Sequence, residues 1–245
     1  MLEVDFNEMT DRLKKRIVIP NLVEPENSPY GTPATYVNLV ADHLTNSFDF
    51  SMVNNVLCQF KHFKTVIGDI NLHFIHMVGS EEKKSTPIIL LHGWPSTVWE
   101  FHKSIPMLVE QGYTVVIPSL PGLGFTEPPN VTGVSPAVMA CAYRKLMLQL
   151  GYKRFVVGDK YSKPWIYHEF YSNDTELLSS LCIPNVPVAI SNFPNEGIHL
   201  TRFATGAIFN NIKQYNYHTH GGHFSHIDNT KAVVGDLTSF IQKIK

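Results

Sequence analysis

The pattern of apolar and polar positions changes character along the chain. Residues 5–17 place Phe6, Met9, Leu13 and Ile17 at helical spacing and predict a short amphipathic helix. A Pro/Asn/Gly-rich connection fills 18–31. Thr32-Pro33 then predicts an N-cap followed by a first-turn proline, opening a helix with the apolar stripe Tyr36, Leu39, Val40 and Leu44. A further short helix is expected near 50–59. Two β-like runs follow, 63–67 and 70–77, separated by the hairpin signal Gly68-Asp69. The run between Pro87 and His92 is apolar throughout, as in a strand covered on both faces. Beyond it the pattern predicts a helix at 97–110, a strand at 113–118 and a loop through Pro121-Gly122-Leu123-Gly124-Phe125. A helix at 135–150, ending before Gly151, and strands at 154–157 and 186–191 come next. A last helix at 231–244 carries Val233, Val234, Leu237, Phe240, Ile241 and Ile244 on one side. Strands alternating with helices predict an α/β fold with a mainly parallel sheet, flanking helices and an N-terminal helical appendage. The expected division is 1–62 for the helical, meandering region and 63–245 for the core.

Composition changes this picture little. Apolar residues make up 44% and charged residues 17%, a globular balance, and the formal net charge is −1. With no basic run, nucleic acid is not an expected partner. Cys58, Cys141 and Cys182 are odd in number, far apart and without a CxxC pair, so they are expected as reduced thiols packed like small apolar residues. The first residues carry Glu3, Asp5 and Glu8 and lack the apolar stretch of a secretory signal. Nothing approaches the roughly 18 apolar residues of a membrane helix, so a soluble chain is expected.

Candidate chemistry gathers at two places. His92-Gly93-Trp94-Pro95 stands at the end of the first fully apolar strand, where α/β sheets carry their sites. The glycine lets backbone approach a reacting group, and the N–H groups after it can donate to a developing oxyanion. A tight strand-to-helix turn with a packed tryptophan would leave the same four residues. The second place is His218, His220, His223 and His226, four of the twelve histidines within nine residues. No carboxylate or cysteine completes a recognised ligand pattern around them, so polar strand-end and loop residues are expected there rather than a metal.

Several motifs occur in one order: Tyr30-Gly31; Ser47-Phe48-Asp49-Phe50; Phe60 to Thr65; Leu72 to His76; His92-Gly93-Trp94-Pro95 followed by Trp99-Glu100-Phe101. Pro118 to Phe125, Lys145 to Tyr152, Phe193-Pro194-Asn195-Glu196 and Gly221-Gly222-His223-Phe224 continue the series. Together they resemble the microsomal-type epoxide hydrolases, including the insect juvenile hormone epoxide hydrolases, over nearly the whole chain. The resemblance implies an α/β-hydrolase fold and a two-step reaction without a cofactor. An aspartate forms an ester with a lipophilic epoxide, and a histidine oriented by a carboxylate then activates water. Two cap tyrosines polarise the epoxide oxygen. It further implies His223 as the base, Glu196 as its acid, the Trp94 N–H beside Gly93 as an oxyanion donor, and an endoplasmic-reticulum membrane location. The N-terminal anchor of the family has no counterpart in this sequence, so a soluble or peripheral chain is expected.

The nucleophile departs from the pattern. The family turn G-G-D-W-G corresponds to Gly158-Asp159-Lys160-Tyr161, which makes Asp159 the motif-level nucleophile. A nucleophile elbow needs small residues two before and two after its apex. Around Asp159 these are Val157 and Tyr161, and Lys160, flanked by Gly158 and Ser162, cannot form the ester. A second alignment equates Asp159 to Trp165, His168-Glu169-Phe170 and Thr175 to Ser180 with a later family segment. On it, the elbow, a core strand and much of the cap are skipped. Both alignments leave little chain before the strand at Val186, so the cap is expected to be largely missing. Tyr161, Tyr167 and Tyr171 are cap candidates by residue type only. The sequence thus supports an epoxide hydrolase, or a catalytically inactive relative or truncated form that binds apolar ligands.

Overall fold

The hairpin signal at Gly68-Asp69 starts the main sheet. The computed structural model describes residues 4–16, 18, 32–80, 86–129, 135–159, 186–197 and 201–245, which fall into two compact units, Met1–Gln59 and Phe60–Lys245. In the first unit the helices are α1 (Asn7–Lys14), α2 (Ala34–Asn46) and α3 (Ser51–Leu57). Phe6 stacks on Phe50 with ring centroids 4.7 Å apart, and Phe48 meets Phe50 edge-on at 4.8 Å. The Asn54 amide closes this unit by exchanging two hydrogen bonds with the backbone of Val4. Helix α2 begins one residue later than expected, with Pro33 rather than Thr32 at the N-cap position and no side-chain cap. Its expected apolar stripe is not buried: Tyr36, Leu39 and Val40 are exposed, and Ala41 is the buried residue of the helix.

In the second unit β1 (His62–Ile67) and β2 (Ile70–Met77) pair antiparallel, Ile67 opposite Ile70. Strand β2 pairs antiparallel with β4 (Val115–Pro118), and β4 runs parallel to β3 (Ile88–Leu91). Strand β5 (Val156–Asp159) lies parallel on the other side of β3. The order is therefore β1-β2-β4-β3-β5. The sheet is mainly parallel, as expected, with one reversal: β1, β3, β4 and β5 run the same way and β2 runs against them. A second sheet pairs β6 (Val188–Asn192) in parallel with β7 (Ile212–Tyr217).

Residues 97–110 form a 3₁₀ turn, Val98–Phe101, and a separate helix α4 (Ser104–Glu110). Pro106 explains the break: in a continuous helix its ring would oppose the His102 carbonyl, whereas in the first turn its missing N–H costs nothing. Helix α5 (Pro136–Gln149) is capped by Ser135, whose Oγ accepts the Val138 N–H. Its Met139, Ala142, Tyr143, Leu146 and Met147 bury against Ile67, Leu72, Phe74, Ile89 and Val116 of the sheet. At roughly 1.5–3 kcal/mol for each fully buried large aliphatic side chain, this layer is a main source of stability. Among the described residues three further helices follow: α6 (Arg202–Ile208), α7 (Ser225–Asp228) and α8 (Thr230–Lys243). Helix α8 packs against α4, β6 and β7 and so links the two sheets. The fifth strand covers 156–159 rather than 154–157. The register with β3 sets this, pairing Ile88 with Val156 and Leu91 with Asp159. Cys58 and Cys141 are exposed, not packed as expected; Cys182 lies outside the described residues.

Candidate active site

The end of β3 leads into His92-Gly93-Trp94-Pro95. His92 is 1% exposed, and its ring bridges two strand ends: Nδ1–H donates to the Gly93 carbonyl at 3.2 Å, and Nε2 accepts the Leu120 N–H at 3.1 Å. A ring that accepts at one nitrogen and donates at the other is neutral. Burial drives its pKa from 6.5 down to about 4, in accord with that arrangement. His92 thereby ties the Gly93-Trp94 loop to the turn that follows β4. The Trp94 side chain is half exposed rather than packed, and the Ser96 N–H closes the turn on the Gly93 carbonyl at 2.9 Å.

A second buried histidine stands behind this loop. His73 of β2 is fully buried, with Nδ1 2.8 Å from Ser119 Oγ and Nε2 2.9 Å from His62 Nδ1. Burial, with the charges of His62, Lys64 and His92 adding to it, lowers its pKa to about 3. Thr126 accepts the His73 N–H and donates to the Ser119 carbonyl, so β2 and the Pro121 to Phe125 loop share one network. From sequence His92 stood out only as the first residue of the strand-end turn and His73 only within a motif, not as buried hydrogen-bonded rings. The signal available was a histidine inside an otherwise apolar strand run.

The second group is built on the other sheet. After β6 the chain turns through Phe193-Pro194, and after β7 it turns through Gly221-Gly222. Backbone contacts zip the two turns together: the Asn195 N–H donates to the Gly221 carbonyl at 3.1 Å, and Asn195 bridges Gly222. No side chain fits between them. A Cβ on Gly222 would sit 2.9 Å from both Cβ and the carbonyl oxygen of Asn195. This approach brings together Glu196 and His223, with His223 Nδ1 3.1 Å from each carboxylate oxygen. Glu196 Oε1 also accepts the Gly197 N–H at 2.9 Å. A carboxylate only accepts, so Nδ1 carries the proton and Nε2 presents its lone pair. Both side chains are about three-quarters buried. Among the described residues a helix and a single strand separate the two along the chain.

The clustered histidines separate in space. His218 binds Asp236, His226 bonds Ser104 Oγ at 2.9 Å and meets Phe101 edge-on, and His220 is exposed beside Thr219. Among the described residues no three histidine, cysteine or acidic side chains converge as metal ligands would. Of Asp159 the backbone is placed as the last residue of β5, opposite Leu91 and hence one residue from His92 in the neighbouring strand. Lys160 to Trp165, the cap candidates Tyr161, Tyr167 and Tyr171, and the rest of the second alignment lie outside the described residues. Among the described residues no helix is long and apolar enough to cross a membrane.

Known proteins resemble this chain in the same regions. Residues 2–101 match the family model for the epoxide hydrolase N terminus, and residues 86–158 match that for the alpha/beta hydrolase fold. The juvenile hormone epoxide hydrolase of Manduca sexta is 35% identical over 168 residues, 63% of this chain and 36% of that protein. Epoxide hydrolase 1 of Sus scrofa is 32% identical over 163 residues, 62% of this chain and again 36% of the relative. The matched region thus spans about a third of the length of these curated relatives. Among solved structures, the Aspergillus niger epoxide hydrolase superposes with a TM-score of 0.84 at 15% identity, covering 100% of this chain and 95% of that one. The juvenile hormone epoxide hydrolase of Bombyx mori gives 0.82 at 18% identity, with 99% and 93% covered. Those structural matches establish the α/β-hydrolase fold. The family models and the curated relatives support the microsomal-type epoxide hydrolase family as the one this chain is similar to.

Proposed function

We propose that the chain hydrolyses lipophilic epoxides, xenobiotic or juvenile-hormone-like, to diols through a covalent ester. The contact between Glu196 and His223 carries this reading. A carboxylate oxygen, on Asp159 by motif position, attacks an epoxide carbon. The C–O bond breaks, and the epoxide oxygen takes a proton as the ring opens, on the family pattern from a cap tyrosine that water reprotonates. His223 Nε2 then removes a proton from water, whose oxygen attacks the ester carbonyl. The Trp94 N–H beside Gly93 steadies the oxyanion; as it collapses the leaving alkoxide takes the proton back from His223, which frees the diol, the carboxylate and the neutral base. Glu196 holds the ring in the required tautomer and stabilises the imidazolium. None of these steps needs a cofactor. On this reading 1–62 is the family's N-terminal region and 63–245 its core. The chain acts at the endoplasmic reticulum membrane.

A second reading is a catalytically inactive relative that binds apolar ligands. The position of Asp159 favours it: the residue is paired in register within β5, whereas an elbow nucleophile stands on the turn after its strand. The two readings separate on diol formation from a lipophilic aryl epoxide by purified protein. Turnover that is lost in His223→Gln and in Asp159→Asn supports the hydrolase. A folded wild-type chain that binds the epoxide without turnover supports the inactive relative.

A further inference from the structure

A second histidine–carboxylate pair lies beside the first, and the reaction above does not use it. Asp236 stands on α8, three residues after Val233 and four before Phe240, so it is a carboxylate on the apolar side of its helix. It accepts hydrogen bonds from three side chains. Ser191 Oγ–H of β6 and His218 Nε2–H donate to Oδ2, the histidine at 2.7 Å, and Asn216 Nδ2 of β7 donates to Oδ1 at 2.6 Å. The Asp236 carbonyl further accepts from Gln214 at 2.9 Å. The pair is mostly buried, with 18% of the His218 side chain and 14% of the Asp236 side chain exposed.

The held ring acts on the turn that presents Glu196. His218 stacks on Phe193 with centroids 4.6 Å apart and planes 13° from parallel. The Phe193 carbonyl accepts the Glu196 N–H at 3.2 Å, and the His218 N–H donates to the Asn192 carbonyl at 2.9 Å. Phe193 also presses against Gly221: a Cβ there would lie 2.8 Å from Phe193 Cδ1. Phe193 therefore touches both the clamped imidazole and the backbone that leads to His223.

We propose that His218 and Asp236 are positioning residues for the Glu196–His223 pair, acting through the ring of Phe193 and taking no part in bond making. A carboxylate fixes the His218 ring, the ring fixes Phe193, and Phe193 sets the separation of the two turns. The proposal rests on reading Glu196–His223 as the base pair, so its test is read without substrate. In protein labelled at histidine nitrogens, the His223 Nδ1–H gives a low-field proton resonance protected from exchange by Glu196, and Glu196→Gln identifies it by its loss. In His218→Ala the expected result is at least a threefold faster exchange of this proton with water, or loss of the resonance, in a chain that keeps a cooperative thermal transition. His218→Phe keeps a ring against Phe193 but cannot bond Asp236, and the same change is expected there. It decides the matter if the alanine variant does not fold. An unmoved resonance in either folded variant overturns the proposal and leaves His218–Asp236 a purely structural tie. Absence of the resonance from the wild-type protein overturns the Glu196–His223 pair itself, a distinguishable result.

Discussion

His223 Nδ1 stands 3.1 Å from both oxygens of Glu196, a residue 27 positions earlier in the chain. Neither residue is on a strand or helix; each follows the end of a strand of the same two-stranded sheet. The separation of the side chains is thus set by how closely two backbone turns approach. Replacing Glu196 by Gln removes the charge but keeps the shape. The expected outcome is a fall of about 10²- to 10⁴-fold in the hydrolytic step, with Tm within a few degrees of wild type. Single-turnover kinetics beside a thermal melt checks both.

Gly222 is where that approach is closest. Adding only a methyl group, Gly222→Ala, forces the Asn195 backbone away and is expected to cost about 1–3 kcal/mol in stability. Gly68→Ala is the control. Gly68 has a positive φ of 61° but nothing within 4 Å of an added Cβ, so only backbone strain is expected there. Urea unfolding of both variants measures the difference. Only Gly222→Ala is expected also to speed exchange of the His223 Nδ1 proton.

His92 offers a separate test of the loop that carries Trp94. Truncating it to Ala leaves the buried Leu120 N–H without its acceptor, while the Gly93 carbonyl keeps the Ser96 N–H as its donor. About 2–4 kcal/mol of destabilisation is expected, from the unpaired N–H and the space left by the ring. His92→Asn, which can still accept and donate, is expected to recover part of it. Chemical denaturation of the two variants gives the numbers.

Acid acts on the same histidines. His73 and His92 have folded-state pKa values of about 3 and about 4, both below the unfolded value of 6.5. The unfolded chain therefore binds protons first as pH falls. The stability linked to each ring is whole above about pH 6.5 and is lost on the way down towards its folded pKa. Between pH 7 and pH 4 the loss is on the order of 2–3 kcal/mol for each ring. Urea midpoints across this range are expected to fall more steeply in wild type than in His73→Asn, which has no proton to gain at that site. Equal slopes would contradict the assignment.

Much of the fold could be read from pattern because its strands are short and apolar and its helices amphipathic. The uninterrupted run from Ile88 to Leu91 marked a central strand, and Gly151 marked the end of α5. The mainly parallel sheet was legible in the alternation of strands and helices, and the tight Gly68-Asp69 hairpin accounts for its one reversal, at β2. The helix expected at 97–110 failed on Pro106, whose effect depends on where the first turn falls. At the site, Glu196 and His223 were legible through their motifs. The Asp236–His218 pair was not: it depends on α8 crossing the ends of β6 and β7, a tertiary contact that local spacing does not encode. A carboxylate between Val233 and Phe240 on an apolar helix face was its one local trace.

The ester intermediate is the most direct test of the proposed chemistry. His223→Gln, which can form the ester but not resolve it, would be incubated with a lipophilic aryl epoxide, and its mass measured before and after tryptic digestion. The account predicts an added mass of one epoxide on the peptide Phe155–Lys160, which contains Asp159. A folded variant that binds the epoxide yet gains no mass, or gains it on another peptide, would contradict Asp159 as the nucleophile. The first of these results would leave the Glu196–His223 pair as the retained half of a site that no longer turns over.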